Sequence, residues 1–329
     1  MVSDLKSATT QTLEFTGERY LTEVGGDIEL EHMHRYMFCR DVVSEKVVLD
    51  IACGEGYGSH FISNFAKTVI GMDVSQEAVK HAKAKYVKAN LKFEVGECQS
   101  IPLEDSSVDV VVSFETIEHH NKHIEMISEI KRVLRPNGIL IISSPNKLEY
   151  TDKRNYQNQF HVKELYREEF VSLLSSSFKN TQVFGQRIVF GSVVISESSR
   201  FQTNFSNINA VDVAPSARLE NPMYFIAISS NEDIPNIENS LLEQDLDKSS
   251  LSMELSDVRK NSDAQIEYRN ELIKIVKSDL DRHVAIVDAL NTDLSASNAD
   301  LSTIKDQMNS RKFLIRRILR LTFRKRSQT

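Results

Sequence analysis

Val47-Val48-Leu49-Asp50-Ile51-Ala52-Cys53-Gly54-Glu55-Gly56-Tyr57-Gly58 reads as an apolar strand that runs into a glycine-rich turn and then a helix. Glycine in such a turn tolerates left-handed backbone and lets a ligand approach bare peptide groups. Taken alone the stretch is ambiguous, because dinucleotide-binding units begin in a similar way. The neighbouring sequence is more informative. From Lys46 to Ser144, short apolar runs at Val47–Ala52, Thr68–Met72, Leu91–Val95, Val108–Phe114 and Ile139–Ser143 alternate with helical patterns. That alternation predicts a parallel sheet covered by helices. Ala78, Val79, Ala82 and Tyr86 share one helical face, and Ile127, Ile130, Val133 and Leu134 share another. Arg135-Pro136-Asn137-Gly138 then turns the chain into the next strand. A helix over Lys163–Ser177 and strands at Thr181–Val194 and Met223–Ser229 complete an expected seven-stranded, doubly wound α/β sheet. Residues 197–221 show no period and read as a loop or lid.

The ends of the strands carry the chemistry. The second run closes on Gly71-Met72-Asp73-Val74-Ser75, which places Asp73 where a carboxylate can accept both hydroxyls of a nucleoside ribose. The third closes near Gly96-Glu97-Cys98, where an acidic side chain can meet an adenine amino group. The fourth leads into Ser113-Phe114-Glu115-Thr116-Ile117-Glu118-His119-His120, beside the switch point where open α/β sheets hold their ligands.

This ordered set resembles the class I S-adenosylmethionine-dependent methyltransferases, in the subgroup related to the ubiquinone-biosynthesis O-methyltransferases, over roughly residues 16–230. The resemblance implies S-adenosyl-L-methionine as cofactor and a Rossmann-like seven-stranded sheet. It also implies that Asp50, Gly54 and Gly56 hold the methionine part, Asp73 the ribose, and Glu97 with Cys98 the adenine, with Cys53 and Val74 as further cofactor-binding positions. Phe114 and Glu115 would line the floor beside the sulfonium. Thr16-Gly17-Glu18-Arg19-Tyr20 and Ile28-Glu29-Leu30-Glu31-His32-Met33-His34-Arg35-Tyr36 resemble the amino-terminal lid of methyltransferases from bacterial surface-polysaccharide gene clusters, which adds Tyr36 to the cofactor set. Ser143–Lys147 and Asn158–Leu165 match the same group, with His161 at the edge of the site.

A sulfonium methyl is already activated, so the enzyme has mainly to align an acceptor lone pair with it. A sugar hydroxyl gains from a nearby base, by about 10²–10⁴-fold. His119, His120 and His161 are the candidates, since imidazole titrates in the useful range. A phosphate oxygen would need no base, and the sequence leaves that choice open. The fourth-strand motif lacks the Asn/Asp-Pro-Pro-aromatic signature of amino-directed DNA methyltransferases. No carboxylate cluster for a metal is visible in the spacing, so no metal is expected.

Charge and composition set the boundaries. Residues 1–310 carry 32 basic and 47 acidic side chains, a net −15, whereas residues 311–329 carry eight basic and none acidic. An acidic body argues against a nucleic-acid partner. Cys39, Cys53 and Cys98 have no metal-ligand spacing and read as thiols of a reducing compartment. No signal peptide is apparent, and no apolar run approaches the ~18–20 residues of a membrane span. After Ser230 an acidic linker leads to a stretch without Gly or Pro. There Val287, Leu294, Leu301, Met308 and Ile315 form one heptad seam, and His283, Leu290, Ser297, Ile304, Arg311 and Ile318 the other. Upstream, Leu251, Val258, Gln265 and Leu272 alternate with Leu255, Ser262, Arg269 and Val276, and an eleven-residue step from Leu272 to His283 joins the registers as a stutter. Leu314, Ile315, Ile318, Leu319 and Leu321 oppose Arg316, Arg317, Arg320 and Arg324 on a helical wheel, as in a basic amphipathic helix that meets an anionic membrane or a protein partner.

The expected organisation is therefore residues 1–45 as an N-terminal lid or substrate segment, 46–235 as the methyltransferase domain, 236–250 as a linker, 251–310 as a coiled coil and 311–329 as a basic tail. By resemblance to chain-terminating enzymes of bacterial O-antigen synthesis, the acceptor is a glycan or lipid-linked glycan. Expected partners are a second copy through 251–310, a glycosyltransferase, and an anionic membrane surface through 311–326 at the cytoplasmic face of the inner membrane. Two other readings remain open from sequence: a membrane-associated scaffold for glycan assembly, and a small-molecule O-methyltransferase.

Overall fold

The computed structural model describes residues 21–22, 25–189, 219, 221–294 and 301–324. It divides into two units, Met1–Met253 and Glu254–Thr329.

In the first unit, α1 (Asp27–Phe38) and the short α2 (Arg40–Val43) precede β1 (Val47–Ile51). The chain then alternates through α3 (Tyr57–Ile62), β2 (Thr68–Asp73), α4 (Gln76–Lys85), β3 (Leu91–Val95), β4 (Val108–Ser113), α5 (His123–Val133) and β5 (Leu134–Pro145). It closes with α6 (Arg167–Ser175), β6 (Asn180–Gln186) and β7 (Tyr224–Ser230). The sheet order is β3-β2-β1-β4-β5-β7-β6. β1 to β5 are parallel, and β7 runs antiparallel to both β5 and β6. The order reverses between β1 and β4, so the loops after those two strands diverge and leave a crevice at their carboxyl ends.

The strands form where the sequence has continuous apolar runs, because a parallel sheet is covered on both faces. Val48, Leu49 and Ile51 are buried in β1, and Val110, Val111 and Val112 in β4. One core layer packs Met126, Ile127, Ile130 and Val133 of α5 and Phe170 and Leu174 of α6 on one face of the sheet. The other packs Val79 and Ala82 of α4, Ile62 of α3 and Tyr36 and Val43 on the opposite face. Ser75 caps α4 by accepting from the Ala78 amide at 3.2 Å, a short polar side chain satisfying a free helix-end donor.

Several boundaries differ from the sequence expectation. The expected helix over Lys163–Ser177 is confined to α6, which starts where the Glu169 side chain reaches back to accept from the Tyr166 amide at 2.9 Å. β5 begins at Leu134, and its pairing with β4 skips a register between Val108 and Val110, absorbing the Arg135–Gly138 turn as an irregularity. The expected strand Thr181–Val194 is described as β6, and positions 190–194 lie outside the described residues, as do Thr16–Tyr20 and most of the 197–221 segment. The first residues of α7 (Ser250–Leu294) belong to this unit and are tied to α1: Ser250 Oγ accepts from the Asp27 amide at 2.9 Å, and Asp27 Oδ1 accepts from the Ser250 amide at 3.1 Å.

The second unit comprises the remainder of α7 and α8 (Leu301–Arg324), with 295–300, including Ser297, outside the described residues. Leu255, Val258, Leu272 and Val276 of the seams are exposed along α7, as are Leu314, Ile315, Ile318 and Leu319 along α8. Among the described residues no helix is long and apolar enough to cross a membrane.

Candidate active site

The turn after β1 uses left-handed backbone three times, at Ala52 (φ 56°), Gly54 (φ 56°) and Gly56 (φ 95°). Gly56 has a second constraint: a Cβ there would lie 2.8 Å from Ala82 Cβ and 2.9 Å from the Phe93 ring. The turn is held from beneath by Asp73, at the end of β2, whose Oδ2 accepts from the Gly54 amide at 2.9 Å and Oδ1 from the Ser75 amide at 2.8 Å. Asp73 thus stands beside the glycine turn with Val74 exposed next to it, the arrangement a ribose and the plane of a base require. A cradle of bare backbone closed by a carboxylate fits the methionine and ribose parts of S-adenosylmethionine.

Asp50 lies differently from its expected place. It is fully buried; its carboxylate accepts from Ser59 Oγ at 2.5 Å and from the Tyr36 hydroxyl at 3.2 and 3.3 Å. Burial pushes its pKa up to about 7, while the Ser59 and Tyr36 hydrogen bonds pull it back and Asp73 adds to the rise. Asp50 therefore anchors the loop and α1 from within instead of lining a solvent-facing surface. Cys53 is likewise buried, so only its backbone is placed to meet a ligand. Glu55, which the sequence reading passed over, is buried and holds Lys85, the Tyr86 hydroxyl at 3.0 Å and the Thr22 hydroxyl at 3.1 Å, tying the loop to α4.

On the adenine side, Glu97 is exposed and accepts from Gln99 Nε2 at 2.9 Å. Cys98 sits with its sulfur 3.4 Å from His120 Nε2.

The floor after β4 is built around a strained residue. Glu115 adopts φ 48°, a left-handed conformation unusual for a side-chain-bearing residue and common at functional sites. It is fixed reciprocally by Ser143 of β5: the Glu115 amide donates to Ser143 Oγ at 2.9 Å, and Ser143 Oγ donates to Glu115 Oε1 at 2.6 Å. Phe114 is buried against the edge of Tyr36, their rings 5.1 Å apart. Above this floor α1 brings Arg35, completely buried, with Nη2 3.7 Å from Glu115 Oε1, its guanidinium over the Tyr224 ring and Nε donating to Gln186 Oε1 at 2.8 Å. Glu31, one turn earlier, shares this space. Burial pushes its pKa up to about 7, Arg35 opposing and Glu115 reinforcing. Arg35, Glu31 and Ser143 were visible in sequence only as parts of motifs that match the family, and Gln186 and Tyr224 carried no signal of function.

The three candidate histidines separate. His119 and His161 meet edge to face, 5.2 Å between centroids. His161 is stacked on Tyr150 and its Nδ1 is 2.6 Å from Glu164 Oε1, while His119 Nδ1 is 3.1 Å from the Phe160 carbonyl oxygen. The Val162 and Lys163 amides donate to the Glu118 carbonyl, binding the two loops together. His120 is removed from this group, because it leaves the 3₁₀ turn Ile117–His119 in extended conformation, φ −149° and ψ 169°. Its Nε2 lies 3.3 Å from Met126 Sδ as well as near Cys98, and burial holds its pKa below the ordinary histidine value. The sequence spacing showed no metal set, yet ligand atoms of buried Glu118, His119 and His161 all lie within 4.8 Å of one another.

The seven-stranded order with an antiparallel β7, the glycine turn at the switch point and the Asp73 carboxylate at the end of the neighbouring strand define a class I methyltransferase domain. The model of a methyltransferase-domain family matches residues 49–142. A probable S-adenosylmethionine-dependent methyltransferase of Mycolicibacterium smegmatis is 34% identical over 179 residues, 54% of this chain and 69% of the relative. Another from Mycobacterium tuberculosis is 35% identical over 173 residues, 51% of this chain and 62% of its own length. A fatty-acid O-methyltransferase of M. smegmatis is 28% identical over 114 residues, 34% of this chain and 39% of that protein. Among solved structures, an S-adenosylmethionine-dependent methyltransferase of Mesorhizobium loti aligns at 14% identity over 60% of this chain and 96% of its own, with a TM-score of 0.43. The chain belongs to the S-adenosylmethionine-dependent methyltransferases, and its cofactor is S-adenosyl-L-methionine.

Proposed function

We propose that the chain transfers methyl to a hydroxyl oxygen of a bacterial surface glycan, in free or lipid-linked form. The observation that carries the choice of a hydroxyl is the Glu118–His119–His161 cluster, two of whose members follow Glu115 in the segment after β4. A carboxylate or phosphate acceptor is already anionic and needs no such group, and Glu115 and Glu118 would repel a phosphate dianion. The same carboxylates favour a sulfonium. When bound, the cofactor supplies an electrophilic methyl, which leaves as the sulfur regains the bonding pair. The protein's own work is to hold the acceptor oxygen in line and to promote the loss of its proton at the cluster.

The helical unit supports a reading as the means of assembly and delivery. The exposed seam of α7 fits a second copy of the chain, and the exposed apolar face of α8, flanked by Arg316, Arg317 and Arg320, fits an anionic surface, at roughly 1 kcal/mol for each engaged basic residue. Chain termination, with a glycosyltransferase as neighbour at the cytoplasmic face of the inner membrane, belongs to this same proposal. The test supplies labelled S-adenosylmethionine and lipid-linked glycans from the source organism, then locates the methyl by mass spectrometry. Methyl on a hydroxyl, with kcat lowered by about 10² in His161→Ala, is expected. Methyl on phosphate or carboxylate, or an unaffected His161→Ala, would overturn the hydroxyl reading.

A further inference from the structure

The geometry points to a zinc-class divalent cation held by Glu118, His119 and His161, with an open position for the acceptor oxygen. The inference rests on the methyltransferase reading and deepens it, by naming what the cluster binds. Two imidazoles and one carboxylate are the donor set of hydrolytic zinc centres with a free fourth position, whereas magnesium and calcium prefer oxygen donors throughout.

Three features go beyond proximity. First, both rings are turned the same way. A carbonyl oxygen can only accept, so His119 Nδ1 carries its hydrogen toward Phe160, and a carboxylate can only accept, so His161 Nδ1 carries its hydrogen toward Glu164. In each neutral ring Nε2 is then the lone-pair atom. Second, the Glu164–His161 contact at 2.6 Å is the outer-shell carboxylate that metal-binding histidines characteristically have. Tyr150, stacked at 5.2 Å, fixes the ring plane. Third, the group is placed on a rigid join: Val162 and Lys163 donate to the Glu118 carbonyl at 2.8 and 3.0 Å, so the loops that carry the ligands cannot drift apart independently.

His119 Nε2 lies 4.0 Å from Glu118 Oε1, and the full set spans at most 4.8 Å. Tetrahedral ligands about 2.1 Å from a zinc ion stand about 3.4 Å apart, so the side chains need close in by about an ångström or a little more, within rotamer adjustment. Coordination would make the acceptor hydroxyl acidic. Its O–H bond breaks with the proton passing to solvent water, the oxygen pair forms the bond to the methyl carbon, and the carbon–sulfur pair stays on sulfur. No oxidant or reductant enters.

The test uses the full chain, stripped of metal and titrated with Zn²⁺ alone by calorimetry, with no cofactor or acceptor present. About one equivalent should bind. Affinity should fall at least 100-fold in His119→Ala and His161→Ala, and about 10–100-fold in Glu164→Gln, which preserves packing if the alanine variants misfold. Co²⁺ in place of Zn²⁺ should give visible bands without sulfur-to-metal charge transfer. No stoichiometric binding, or binding lost in Cys98→Ser instead of His161→Ala, would overturn the proposal. So would a metal-free enzyme with unchanged turnover. Failure of the methyltransferase reading would show separately, as absent S-adenosylmethionine binding.

Discussion

Gly58→Ala should break the contact that joins α1 to the cofactor loop. A Cβ at Gly58 would lie 1.9 Å from Tyr36 Cζ and 2.2 Å from Cε2. Neither side can yield cheaply. Gly58 is in the first turn of α3, and the Tyr36 ring is wedged edge-on against Tyr57 and Phe114, 5.6 and 5.1 Å between centroids. Expelling the ring costs about 1–3 kcal/mol as overpacking. It also removes a hydroxyl donor from the buried Asp50 carboxylate, about 1.5–3 kcal/mol for a bond to a charged group. Alanine's better helix propensity returns at most about 1 kcal/mol. The net loss should be about 2–4 kcal/mol by urea unfolding. Tyr36→Ala alone should cost about 3–5 kcal/mol. In that background Gly58→Ala meets no ring and should be neutral or slightly stabilising, a coupling of about 3 kcal/mol in a double-mutant cycle. Additive costs in the two backgrounds would refute the reasoning, because they would mean that the ring is not what Gly58 makes room for.

Asp73→Ala should weaken S-adenosylmethionine binding at least about tenfold by calorimetry, since a bidentate charge-assisted contact to the ribose is lost; unchanged affinity removes the ribose assignment. Glu31 keeps its proton in the folded state to a pKa of about 7, against an ordinary 4.5, so the folded state binds more protons between those values and stability falls as pH rises through that window. Glu31→Gln should flatten this decline, which amounts to at most about 1.4 kcal/mol per pH unit; an identical pH profile in the variant sinks the assignment. Light scattering of the full chain against residues 1–235 should show an oligomer only for the former, and a monomeric full chain removes the second copy from α7. Vesicle flotation should require residues 311–329, and equal flotation without them removes the membrane contact.

The cofactor half of the site was legible because it is local. β1, its glycine turn and α3 are consecutive, and Asp73 announces itself by closing an apolar run, so Gly54, Gly56 and Asp73 could be placed without knowing any long-range contact. Asp50 was harder. Its position at the strand end is readable, but whether its carboxylate turns toward a ligand or inward depends on Tyr36 and Ser59, and a single strand does not say which residues of a preceding helix will fold over it. The helical seams were legible as spacing, although spacing fixes a helix and its exposed stripe and leaves the occupant of that stripe open.

The side of the site around Arg35 was opaque for a topological reason. Arg35 meets Gln186 across 151 positions of sequence, and the β6–β7 pairing of Gln186 with Tyr224 is what brings Tyr224 beside them. Such a group assembles only once β6 and β7 have closed the sheet's far edge, so no local period encodes it. His119 and His120 illustrate the same limit at short range. They are adjacent, chemically identical and equally plausible as bases, yet the end of the 3₁₀ turn sends one toward His161 and the other into a pocket of sulfur atoms. The turn exists because the left-handed Glu115 redirects the chain after β4, and Glu115 holds that conformation through Ser143 on the neighbouring strand. One strained residue therefore decides which imidazole meets His161, and it does so through a hydrogen bond from a strand the motif does not contain.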